Sequence, residues 1–174
     1  MESLAPDQIN TFLNALGERY PHPATLVLLG GSALCLLGNV RPTLDIDFVG
    51  DDLRKDELQQ VMEQVAQELH VLVEAVPIDQ FIPIPAGADE RRLFIGRFTH
   101  IDVYVLDPYT ISLSKLDRGF DTDLEDIMFL IQRGFVTIEQ LEQVVATAAT
   151  RSHEFGMSGT ALYAHMRAVR RLLG

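Results

Sequence analysis

Asp45 and Asp47, in Leu44-Asp45-Ile46-Asp47-Phe48-Val49, are the residues of this chain whose type and spacing best suit chemistry. The stretch alternates, so on a strand both carboxylates share one face while Ile46 and Phe48 take the other. Two carboxylates so spaced can hold one or two magnesium ions. Upstream, Gly30-Gly31-Ser32 ends the apolar run Leu26 to Leu29 and precedes Ala33, Leu34, Leu36 and Leu37, with Gly38 and Asn39 as a stop. That order reads as a buried strand, a tight turn and a short helix with Ser32 at its N-cap. A glycine turn opening onto a helix start leaves backbone N–H groups without intrahelical partners, which suits an anionic phosphate. Arg41, just before the acidic strand, can meet phosphate oxygens bidentately or pair with Asp45 or Asp47 when no metal is bound.

The elements that must position these groups follow from periodicity. Asp7 opens a first helix with Ile9, Phe12, Leu13 and Leu16 at helical spacing, closed by Pro21-His22-Pro23. Asp51 and Asp52 start a longer helix with Leu53, Leu58, Val61, Met62, Val65 and Leu69 as one apolar stripe. Val71 to Ile78 reads as a strand, and DQFIPIPAGADE after it reads as a surface loop. Leu93 to Phe98 and Ile101 to Leu106 are strand-like; if they form a hairpin, the sheet is mixed. From Pro108 the pattern turns helical: a helix to Gly119, another from Asp121 to Gly134, a third opened by Thr137, and a last from about Ser158 to Leu173. The expected fold is therefore α/β (α+β): one domain with a small mixed sheet and flanking helices over about 1–107 and a helical part, a C-terminal cap, over about 108–174.

Composition narrows the function classes. The 174 residues are 47% hydrophobic and 22% charged, enough for an ordinary core. No stretch approaches the roughly 20 apolar residues of a membrane span, and MESLAPDQIN lacks the basic and apolar regions of a signal peptide, so a cytoplasmic location is expected. The net charge of -11, from 14 basic and 25 acidic residues, disfavours a long nucleic-acid footprint, whose affinity comes largely from neutralised phosphates. Local basic clusters remain at Arg91, Arg92 and Arg97 and at Arg167, Arg170 and Arg171. Cys35 reads as a small core residue. The five histidines show no metal-ligand spacing, there is no G-x-S-x-G, and no G-K-[ST] follows the glycines to make a Walker loop.

Taken together, Gly30-Gly31-Ser32, one short helix, Arg41-x-Thr43 and Asp45-Ile46-Asp47 resemble the signature of the nucleotidyltransferase superfold related to DNA polymerase beta. The form GGSAL…R-x-T-x-D-I-D is similar to small bacterial proteins of the abortive-infection AbiEii toxin group. Ser114-Lys115-Leu116, Arg118 and Asp123-Leu124-Glu125-Asp126-Ile127 resemble a later segment of the same proteins, and the resemblance covers roughly residues 24 to 142. It implies a nucleotidyltransferase that moves a nucleoside monophosphate from a nucleoside triphosphate to an acceptor hydroxyl on tRNA or a protein, with two magnesium ions on Asp45 and Asp47. It implies a third carboxylate, for which Asp102 is expected because it is acidic within an otherwise apolar strand. Gly30, Gly31, Ser32, Arg41 and Thr43 would then bind nucleotide, Lys115 would meet the triphosphate or the transition-state charge, and Asp123 or Asp126 would orient that lysine or complete a polar network. The same resemblance implies a toxin restrained by a separate antitoxin. A non-catalytic nucleotide-binding module on the same fold is the alternative.

Overall fold

The apolar run Ala24–Leu29 becomes β1, the central strand of a five-stranded sheet whose order is β3-β2-β1-β5-β4. The structure, a computed structural model, describes residues 3–174, and the chain forms two compact units. The first, residues 1–77 and 92–106, holds β2 (Asp45–Val49), β3 (Leu72–Val76), β4 (Leu93–Phe98) and β5 (Ile101–Val105). β1 runs parallel to β5 and antiparallel to β2, β3 is parallel to β2, and β4 and β5 form the antiparallel hairpin. The sheet is thus mixed, as expected.

Period-two burial fixes its core face: Leu26, Leu28, Ile46, Phe48, Ile101, Val103 and Val105 are all buried. Their apolar partners come from α1 (Pro6–Arg19), through Ile9, Phe12, Leu13 and Leu16, and from α3 (Glu57–Leu69), through Leu58, Met62, Val65 and Ala66. α1 packs on β4 and α3 on β3. Phe12 is fully buried, so its truncation to alanine would cost about 3–5 kcal/mol. By register the opposite face carries Asp45, Asp47, Glu74, Asp102 and Tyr104.

Several expected boundaries move: α1 begins at Pro6 with Ala5 rather than Asp7 at its N-cap, and β3 stops at Val76, with Ile78 opening a short helix. α2 (Gly30–Leu36) starts at Gly30 with Leu29 at its N-cap, so Ser32 does not cap it. The turn is made at Gly30 itself, at φ +73°, and the buried Ser32 hydroxyl donates back to the Leu29 carbonyl at 3.5 Å. The helix expected from Asp51 is interrupted because two aspartates each cap their own segment. Asp51 accepts from Leu53 N–H to begin a 3-10 turn over Asp52–Arg54, Lys55 is extended, and Asp56 accepts from Gln59 N–H to begin α3.

The second unit, residues 78–91 and 107–174, is helical. It contains α4 (Ile78–Phe81), α5 (Pro108–Arg118), α6 (Asp121–Gln132), α7 (Ile138–Ala149) and α8 (Gly159–Leu173). Thr137 caps α7 and Ser158 caps α8. The stretch expected to be a surface loop instead buries Ile82 and Ala88. It is tied down by Arg91, whose guanidinium donates to both oxygens of the fully buried Asp107 at 2.9 and 2.8 Å. Asp107 also caps α5, accepting from the Tyr109 and Thr110 N–H groups. Among the described residues, no helix is long and apolar enough to cross a membrane.

Candidate active site

The sheet unit gathers most of the expected nucleotide and metal residues around the end of β1. Leu29 pairs in register with Asp47, and Asp47 pairs on its other side with Glu74 of β3. Asp45, Asp47 and Glu74 bring one carboxylate oxygen each to within 4.8 Å of one another, the two aspartates half-buried and Glu74 exposed. Directly against them lies the glycine turn. A Cβ on Gly30 would fall on the Asp47 carboxylate, and its positive φ independently favours glycine. A Cβ on Gly31 would lie 2.8 Å from the Thr43 hydroxyl and 4.0 Å from Arg41 Nη2. Thr43 is buried, and its hydroxyl donates to the Asp45 carbonyl at 3.2 Å. The turn and the acidic strand therefore interlock, and only hydrogens at positions 30 and 31 permit it.

Glu74 was not singled out from the sequence, although Leu72-Val73-Glu74-Ala75-Val76 carries the signal used for Asp102, a lone acid in an apolar strand. Asp102 does not join the cluster. It shares the sheet face, but its register partner is Thr25, four positions before Leu29 on β1. At about 3.3 Å per residue that is on the order of 13 Å along the strand. Arg97, its cross-strand partner on β4, donates to both Asp102 oxygens at 2.8 and 3.2 Å. These hydrogen bonds, with the charge of Arg97, hold the Asp102 carboxyl below the usual carboxylate range.

Lys115, Asp123 and Asp126 form a buried network in the helical unit. Lys115 Nζ donates to Asp126 Oδ2 at 2.8 Å and stands 3.7 Å from Asp123 Oδ1. Asp123 also accepts from Arg118, at 2.6 and 3.3 Å, and from the Phe120 N–H at the start of α6 at 3.2 Å. α5 and α6 are thereby cross-linked by charge inside an apolar helix pair. Cys35 is buried, and burial pushes its thiol pKa up, as befits an inert core residue.

A mixed sheet with an Asp-x-Asp strand interlocked with a glycine turn, followed by helices, defines a nucleotidyltransferase-like protein. The chain belongs to the family described as nucleotidyltransferase of unknown function (DUF6036), whose profile matches residues 7–162. No curated protein and no solved structure matches the chain.

Proposed function

We propose that the protein transfers a nucleoside monophosphate from a nucleoside triphosphate to an acceptor hydroxyl, with release of pyrophosphate. The observation that carries this reading is the convergence of Asp45, Asp47 and Glu74 beside the Gly30-Gly31 turn. Three carboxylate oxygens are a hard donor set that fits magnesium, and they offer neither nitrogen nor sulfur for softer metals. When bound, the metal, expected as two ions, neutralises triphosphate charge and makes the acceptor oxygen a better nucleophile.

Asp45, Asp47 and Glu74 would hold the metal. The first-turn N–H groups of α2, at Gly30, Gly31 and Ser32, suit the terminal phosphates, and Arg41 and Thr43 flank the same turn. In the transfer, the acceptor oxygen bonds to the α-phosphorus and the bond from that phosphorus to the β-phosphate oxygen breaks. Pyrophosphate leaves with the electron pair, and the hydroxyl proton passes to a carboxylate of the set. Asp102, paired with Arg97, is left outside the metal set. Lys115, which the sequence resemblance gives to the triphosphate, has its ammonium engaged by Asp126 and Asp123. That geometry supports a role in holding α5 against α6.

The resemblance to AbiEii proteins supports tRNA or a protein as acceptor and a toxin held by an antitoxin. The test is incubation of the chain with magnesium, each labelled nucleoside triphosphate and a lysate of acceptors. Asp47→Asn is expected to lose labelling at least a hundredfold, and growth arrest on expression should be relieved by the same substitution. Equal labelling by both proteins would sink the transfer reading; growth unaffected by the unsubstituted chain would sink the toxin setting.

A further inference from the structure

The carboxylate face of the sheet carries a second cluster that the transfer chemistry does not use. Along β4, Leu93 pairs with Val105 and Phe94 with Tyr104, but the next pair is Gly96 with Val103. Ile95 is an extra residue, a bulge that resets the alternation of the strand. In an unbroken ladder, with Ile95 paired and no bulge, Phe94 would share the side of Gly96 and Phe98. With the bulge, Phe94 stands beside Tyr104 on the side of Asp45 and Asp47. The two rings lie 5.4 Å apart at 66°, and the Arg92 guanidinium carbon lies 4.7 Å from the centre of the Tyr104 ring. Phe94 is 59% exposed. An edge strand has thus been distorted to present a phenyl ring outward.

The position is informative. Tyr104 pairs with Val27, two positions before Leu29, and Leu29 pairs with Asp47. Tyr104 therefore lies two strands and two residues from Asp47, on the order of 12 Å away across one face, with Phe94 one strand further. Resting on the transfer reading, we infer that Phe94, Tyr104 and Arg92 form a stacking platform for an unpaired nucleobase of the reacting species. Aromatic faces and guanidinium planes are the groups on which splayed bases stack. A chain of net charge -11 gains little from phosphate neutralisation, so a polynucleotide would be held chiefly through its bases. The base belongs either to the donor nucleotide or to a single-stranded acceptor, and both offer the same planar face.

The experiment measures binding to the chain in magnesium, with a nucleoside triphosphate whose link between the α- and β-phosphates cannot be hydrolysed, so that no turnover occurs. Three probes are used: a labelled single-stranded oligoribonucleotide, its abasic counterpart, and that triphosphate. Phe94→Ala and Tyr104→Leu are expected to weaken binding of a base-bearing probe by roughly five- to a hundredfold, leaving the abasic strand unaffected. Phe81→Ala, an exposed aromatic elsewhere in the chain, should change nothing. A loss confined to the oligonucleotide assigns the platform to the acceptor, and a loss confined to the triphosphate assigns it to the donor. Affinities within twofold for both base-bearing probes, or an equal loss for the abasic strand, would overturn the inference. Circular dichroism of each variant separates lost stacking from lost folding. Labelling by Asp47→Asn, measured separately with magnesium, reports on transfer alone, so failure of one reading is distinguishable from failure of the other.

Discussion

Glu74 and Asp102 present one local pattern, an acid flanked by apolar strand residues, and the sheet gives them opposite circumstances. Glu74 stands beside Asp47 with its carboxylate open to solvent, whereas Asp102 already has a cationic partner in Arg97. The difference predicts different consequences of the same isosteric change. Glu74→Gln should weaken magnesium or manganese binding about tenfold or more by calorimetry, since it removes one of the three hard carboxylates proposed as ligands. Asp102→Asn should leave metal affinity within about twofold. Equal losses in the two variants would return Asp102 to the metal set. The aspartate pair was legible from sequence because a period of two is a local property. That Glu74 lies beside the pair was not, because which acid faces the pair is decided by the register of β2 against β3 and of β1 against β5, and register is set between strands distant in sequence.

Caps and stripes are also local, so the helices Ile138–Ala149 and Gly159–Leu173 could be read from Thr137, Ser158 and their apolar periods. Ser32 misled for a physical reason: the preceding glycine had already turned the chain, leaving the serine inside the first helical turn. Asp51 misled because a second cap lay five residues on, at Asp56. The α5–α6 pair makes the strongest prediction at this scale. Lys115 and Asp126 are nearly inaccessible, with side-chain exposures of 7% and 1%. Removing one member strands a buried charge, which costs about 3–5 kcal/mol. Lys115→Met should therefore be strongly destabilised in urea, and Lys115→Met combined with Asp126→Leu should recover part of the loss. If the single substitution instead lowers nucleotide affinity with stability unchanged, the lysine is a phosphate contact.

The chain passes from the sheet unit to the helical unit and back before it finishes either, crossing at 77/78, 91/92 and 106/107. Residues 78–91 connect β3 and β4, which lie at opposite edges of the sheet. Four strand spacings of ~4.8 Å separate those edges by on the order of 19 Å, so a connector needs at least about six residues. Replacing 78–91 with a fourteen-residue Gly/Ser segment should keep metal binding by the sheet unit while lowering stability through the loss of Arg91, Ile78 and Ile82. A two-residue replacement, which leaves only four residues between Val76 and Leu93, should abolish metal binding; retention would show that β4 is not needed to build the carboxylate face. The strand order also fixes a schedule for synthesis. β1 can pair with β2 as soon as both have emerged, but its other edge waits for Ile101–Val105. At ~5–20 residues per second that is a delay of roughly 4–15 s. Throughout it Ala-Thr-Leu-Val-Leu-Leu, uncharged and without proline, is a bare template for another chain. The strand that carries the glycine turn is thus also the segment most in need of protection while the protein is being made.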